Sequence, residues 1–136
     1  MSGSGRGLLL WGFLLAVSTA ACGTADERRD AADAVTTRFE AAVRDGDAVA
    51  MCRALAPGTR TEVELSGEAT CAESVLGEEL PYAGAVRTVD VFGRQARVVL
   101  RHDTVFLSQF PEGWKVVAAG CRPRHAQPYR CTLKGS

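Results

Sequence analysis

The 136 residues fall short of two domains: once an apolar leader is set aside, about 115 remain, enough for one small domain with a single core of modest stability. Sixteen basic and sixteen acidic side chains cancel, so any charged face must come from where the charges sit. Neither an internal repeat nor a low-complexity tract occurs, which excludes repeat arrays and biased, unstructured chains.

The leader comes first. Leu8-Leu9-Leu10-Trp11-Gly12-Phe13-Leu14-Leu15-Ala16-Val17 follows a short start carrying Arg6, which is the form of a secretory signal. The run is too short to span a bilayer comfortably as a helix. Small residues Thr19, Ala20 and Ala21 then end at Cys22 rather than at an ordinary A-x-A site. This arrangement resembles a bacterial lipoprotein lipobox. The resemblance implies that residues 1–21 are a signal peptide and that Cys22 is acylated by palmitate-like chains and becomes the mature N-terminus. Residues 22–136 would then form one domain, lipid-anchored on the extracytoplasmic face of the cell membrane, where no nucleic acid is met.

Beyond the anchor, Thr24-Ala25-Asp26-Glu27 matches a capping box, and Asp26, Glu27, Asp30 and Asp33 favour a helix N-terminus. Val35, Phe39 and Val43 recur at four-residue steps, joined by Ala31, Ala32 and Ala42, and Asp45-Gly46 stops the pattern. A helix is expected over about residues 26–44. Asp47 can cap a second, shorter helix with Val49, Cys52 and Leu55 or Ala56 inward, ended by Pro57-Gly58. Residues 59–65 alternate loosely and leave a helical turn and an irregular strand both open. Thr70 to Leu76 reads as a third short helix carrying Cys71.

After Pro81 the period changes from four to two. Strands are expected over Val86 to Phe92, residues 95–101, Thr104 to Phe110 and Trp114 to Cys121, with turns at Gly93-Arg94, His102-Asp103 and Pro111-Glu112-Gly113. A loop containing Pro123 and Pro128 leads to a last strand, Tyr129 to Leu133. Strands joined so closely must be antiparallel. Helices first and a meander afterwards indicate an α+β fold with the helices on one face of the sheet.

Besides Cys22 there are Cys52, Cys71, Cys121 and Cys131, an even number that reads as a disulfide framework in an exported domain. Three connectivities are open; local pairing of Cys52 with Cys71 and Cys121 with Cys131 is preferred. Neither C-x-x-C nor H-x-x-x-H spacing occurs, so no metal site is expected. Charge is segregated, with residues 22–80 strongly acidic and nothing acidic after Glu112. Two readings follow: the halves attract each other, or the basic half meets an anionic surface such as lipid headgroups or cell-wall polymer.

A long helix, two shorter ones and a curved antiparallel sheet resemble the NTF2-like, or cystatin-like, cone fold. More narrowly, Cys22, Cys52 with Cys71, Gly113-Trp114-Lys115-Val116, and Gly120-Cys121-Arg122-Pro123 with Pro128-Tyr129-Arg130-Cys131 resemble the small NTF2-like lipoproteins of high-GC Gram-positive bacteria. That family implies the fold, the export route and the local disulfides, and it brings no established activity and no cofactor.

Enzymes on such a cone work inside it, with an Asp, His or Tyr against an apolar ligand, and the candidates here are His102, Asp103, Asp90, Tyr82 and Tyr129. His102-Asp103 has the composition of a general base pair, but a turn would put both in solvent. Asp90 is expected outward. Arg122, Arg124 and His125 form a basic loop suited to ligand or anion contacts. A cone plugged by Phe39, Trp114 and their neighbours would favour an interaction module, and a roomy apolar pocket with an inward Asp or His would favour a ligand carrier or enzyme. The function expected is therefore a membrane-anchored binding or protein-interaction module, with an envelope protein or anionic surface as partner and a homodimer through the sheet also open. The competing expectation is a small apolar-ligand carrier, or a lyase or isomerase, using the interior of the cone.

Overall fold

A computed structural model describes residues 2–3 and 23–135. Four N-terminal helices pack against a six-stranded antiparallel sheet, the α+β arrangement read from the change of period. The expectation at Cys22 lies outside the described residues.

Helix α1 spans Ala25–Asp45 and begins at the capping box: the Glu27 N–H donates to Thr24 Oγ1 (3.2 Å) and the Thr24 N–H to Glu27 Oε2 (2.7 Å). It ends on Gly46 at φ 66°, a left-handed residue whose N–H closes the last turn. Its buried face is Ala32, Thr36, Phe39, Glu40 and Ala42, a stripe rotated from the one centred on Val35 and Val43, which are only partly buried. Thr36 belongs there because its hydroxyl donates to the Ala32 carbonyl (2.9 Å) and so brings no unsatisfied donor into the core.

Helix α2 spans Ala48–Ala54, capped by Asp47, whose Oδ1 accepts from the Ala50 N–H (3.0 Å). The stretch left open between helix and strand is a helix, α3, Pro57–Gly67. Pro57 occupies its first turn, where a missing N–H is harmless, and only Thr59 and Val63 face inward, too few to show a period in sequence. Helix α4, Cys71–Ser74, has its own Thr70–Glu73 capping box and runs into a 3₁₀ turn at Val75–Glu78. Cys52 and Cys71 are bonded, fastening α2 to α4.

The strands are β1 Val86–Phe92, β2 Gln95–Leu100, β3 Thr104–Phe110, β4 Gly113–Arg124, β5 Gln127–Arg130 and β6 Leu133–Lys134, in the order β1-β2-β3-β4-β5 with β6 on β4. Register puts Val89, Val98 and Val105 in one row and Val91, Ala96, Leu107 and Val116 in another, facing the helices. Asp90, Arg97 and Phe106 share the outer row, where Arg97 donates twice to Asp90 Oδ2 (2.7 and 3.2 Å). Phe106 meets Tyr129 edge to face at 5.0 Å.

The end of the chain differs from the single final strand expected over Tyr129 to Leu133. Strand β4 continues past Cys121, turns at His125-Ala126 and returns as β5, with Arg122 opposite Arg130 and Arg124 opposite Gln127. The chain then crosses back, bonded Cys121 to Cys131, and Leu133 pairs with Ala119 in β6. Gly120 makes this possible. Its φ is 64°, and a Cβ there would lie 2.7 Å from Leu80 and 2.8 Å from the Thr132 hydroxyl.

Gly120→Ala should therefore cost about 1–3 kcal/mol in urea denaturation, combining left-handed strain with a steric clash. Gly93→Ala, at φ 57° with open space around it, should cost about 1 kcal/mol. Equal losses at the two glycines would show that close packing at Gly120 contributes nothing.

Candidate functional site

The residues singled out in the sequence separate into two places. Trp114, Phe39 and the start of α1 lie at one end of the sheet. Asp103, His102, Tyr82 and the basic residues Arg122, Arg124 and His125 lie at the other. Trp114 and Arg122 are eight residues apart on β4, about 25 Å along an extended strand.

At the first end Phe39 and Trp114 are buried, and they floor a groove of about 720 Å³ between α1, α2 and the β3–β4 hairpin. Ala31 and Val35 of α1 and Ala50 and Ala54 of α2 give it apolar walls, and Gly23 stands at one margin. Its rim is charged. Arg28 lies over the Trp114 ring at 5.8 Å, Lys115 donates from Nζ to the Arg53 carbonyl (2.8 Å), and Arg38 and Arg53 complete four cations against Glu27 and Glu112. The exposed alanines of α1 that lie off the buried stripe, Ala31 and Ala34, thus line a concave surface.

At the second end the His102-Asp103 turn corrects an expectation. His102 is exposed as expected, but Asp103 is 9 % exposed. Residues 81–85 fold over the turn: the His102 N–H donates to the Ala83 carbonyl (2.9 Å), the Arg101 N–H to that of Ala85 (3.0 Å), and the Leu100 N–H to that of Asp103 (2.8 Å). The covering segment is held from beneath by a residue that the sequence reading missed. Glu40, 3 % exposed, accepts the Ala83 N–H on Oε2 at 2.8 Å. The available signal was its place four residues after Thr36 and one after Phe39, on the buried face of α1.

Burial pushes Glu40 up to about 7, the Ala83 hydrogen bond opposing and the Asp103 charge adding. Burial likewise pushes Asp103 up to about 6, with Arg122 opposing. Two adjoining depressions lie over Asp103. One, of about 420 Å³, includes Arg122, Arg130 and Thr132; the other, of about 580 Å³, includes Tyr82 and His102. Arg124 and His125 are exposed beyond them, Arg124 donating to the Pro128 carbonyl (3.1 Å). Asp90 is partly exposed on the outer face, as expected, and paired with Arg97.

Among the described residues all four ion pairs are local: Asp26–Arg29, Arg44–Asp45, Arg60–Glu64 and Asp90–Arg97. None joins the acidic half to the basic half. Comparison with family models, curated proteins and solved structures gives no match.

A carboxyl that holds its proton more tightly when folded contributes stability that is fully present below its unfolded range and is lost as pH rises through its folded value. With Glu40 at about 7 and Asp103 at about 6, stability should fall by roughly 2–4 kcal/mol between pH 5 and pH 8 and level off above. Glu40→Gln keeps an acceptor for the Ala83 N–H without the charge, so it should raise the Tm at pH 8 and flatten much of the slope. Thermal scans giving an unchanged Tm across that range would refute the burial of both acids.

Proposed function

We propose that this chain is an NTF2-like lipoprotein, lipid-anchored through Cys22 on the extracytoplasmic face of the membrane, whose domain is a binding module acting through the Trp114 groove. One observation carries the reading: the groove has Gly23 at its margin, so it opens beside the residue expected to carry the lipid. With α1 capped at Thr24, almost no tether separates domain from anchor, and the groove is held near the headgroups.

Its chemistry suits an apolar segment flanked by negative charge, an arrangement common to anionic lipid and to acylated envelope components. Apolar walls take hydrocarbon at about 0.8 kcal/mol per buried CH₂, and the excess of cations on the rim attracts anionic groups. Two disulfides suit the oxidising compartment that this location implies. Chemistry inside the cone is less well supported. Phe39, Met51, Leu107 and Val116 fill the interior, and neither of the buried acids Glu40 and Asp103 lines the groove.

Cys22→Ala should move the protein from the membrane fraction to the soluble one, and tight anchoring that persists would remove the lipobox from the reading. Occupancy of the groove can be followed separately. Trp11 belongs to the leader, so Trp114 is the only tryptophan in the domain from Gly23 onward. Its emission should shift with phosphatidylglycerol vesicles at low salt and revert at high salt. Arg38→Glu with Arg53→Glu should abolish the shift. An equal response to phosphatidylcholine vesicles, or none to either, would show that the groove is not the binding surface.

A further inference from the structure

We infer that the polar cleft over Asp103, at the opposite end of β4 from the groove, is a second binding site, for a small zwitterion of the free α-amino-acid class. It goes beyond the groove and does not depend on the lipid anchor.

Two observations meet in this cleft. The first is a pair of like charges. Arg122 of β4 and Arg130 of β5 are direct cross-strand partners, and both line the same depression. Residues directly opposite in an antiparallel pair share a face, and like charges so placed repel unless something negative lies between them. A carboxylate bridging two guanidinium groups turns that repulsion into charge-assisted hydrogen bonding.

The second is a carboxyl group with an unmet acceptor. Asp103 is nine-tenths buried and lines both depressions; its Oδ1 is sealed from solvent without a hydrogen-bond partner, so a ligand would meet the remainder of the carboxyl group. Native interiors rarely leave such an acceptor bare, because it has given up water and received nothing in exchange. Arg122 is close enough to oppose the upward shift of Asp103, yet the two form no ion pair among the described residues. Each group therefore keeps its capacity for a ligand.

The charge order selects the ligand. A simple anion drawn to Arg122 and Arg130 would meet the Asp103 carboxylate in the wall. A simple cation drawn to Asp103 would meet two arginines. A molecule carrying ammonium and carboxylate a few ångströms apart satisfies both sides at once, its ammonium toward Asp103 and its carboxylate toward the arginines. Thr132, whose hydroxyl is close beside Gly120, adds a neutral donor and acceptor to the same wall. At about 420 Å³ the cleft is of the size that holds a small ligand. Tyr82 and His102 border the adjoining depression, where the side chain of the amino acid would lie.

The test is saturation-transfer NMR on the full chain, with a mixture of glycine, alanine, serine, valine and glutamine at millimolar concentration near pH 7.5. At least one should give a signal with a Kd in the millimolar range or below, and its N-acetyl derivative and its methyl ester should each bind about tenfold more weakly or not at all. Asp103→Asn and Arg122→Gln should each weaken the free amino acid about tenfold, while Arg124→Gln, outside the cleft, should leave it unchanged. Should Asp103→Asn fail to fold, Arg122→Gln, at an exposed position, carries the test alone. Absence of any amino-acid signal overturns the inference. So does binding that survives Arg122→Gln, or inorganic phosphate that binds as well as the amino acid and displaces it, which would make the cleft an anion site only.

Discussion

The far edge of β4 is the constraint on which the rest of the fold depends. A twelve-residue strand paired on one side by β3 has a second row of backbone donors and acceptors that must be covered. Three segments cover it in turn. The Ala56 N–H donates to the Val116 carbonyl (2.8 Å). Thr59 Oγ1 and the Gly135 N–H both donate to that of Val117, each at 2.9 Å. Strand β6 pairs with Ala118 and Ala119, and β5 with Arg122 and Arg124. This sequence of partners explains why α2 and α3 lie where they do, and why the C-terminus crosses back instead of ending at the hairpin. The disulfide between Cys121 and Cys131 holds the crossing at the place where β4 changes partners.

With β4 fixed in this way, α1 becomes the second organising element, and different sides of it serve two regions. Phe39 faces the core in the middle; Ala31 and Val35 open toward the groove near Gly23; Glu40 reaches the segment that covers Asp103. Burying a carboxyl to hold a loop is a costly choice if the object is stability, since a neutral acceptor would serve the Ala83 N–H without desolvating a charge. Polar groups kept against their own energetic interest are commonest where a site is being shaped. Glu40 positions residues 81–85, and those residues in turn roof the turn from which Asp103 lines its cleft.

The sequence revealed what repeats and concealed what occurs once. Period-four and period-two stretches located α1 and the first four strands, and capping residues Thr24 and Asp47 marked helix starts within a residue or two. Residues 59–65 gave no period because α3 turns only Thr59 and Val63 inward. The stripe on α1 was read with Ala32, Phe39 and Ala42 correctly inward but without Thr36 and Glu40, which look like solvent residues until their partners, Ala32 and Ala83, are known. The last strand was misplaced because its pairing depends on Gly120 and on a covalent crossing, neither of which leaves a periodic mark. Asp103 was assigned to solvent on the ordinary behaviour of turns, and only the tertiary placement of residues 81–85 contradicts it.

Charge segregation takes on a different sense once the ion pairs are placed. Had the acidic helices and basic strands been drawn together by direct pairing, Arg–Glu contacts would cross between the halves. The pairs among the described residues stay within three, four or seven positions of each other or are sequence neighbours. Exposed pairs of that kind contribute little to stability, about 0–1 kcal/mol each, so packing between helices and sheet holds the halves together, not their charges. The basic residues of the strands are thereby left facing outward, and Arg122, Arg124 and Arg130 gather where β4 and β5 project from the sheet. At an ionic strength near 0.1 M their field reaches only about 10 Å, which makes them a local feature of that end of the molecule. Four cations around the groove and three arginines beyond Asp103 are then separate electrostatic surfaces at opposite ends of one strand. A domain held closely at one end by its N-terminus would present the first to the bilayer and the second away from it.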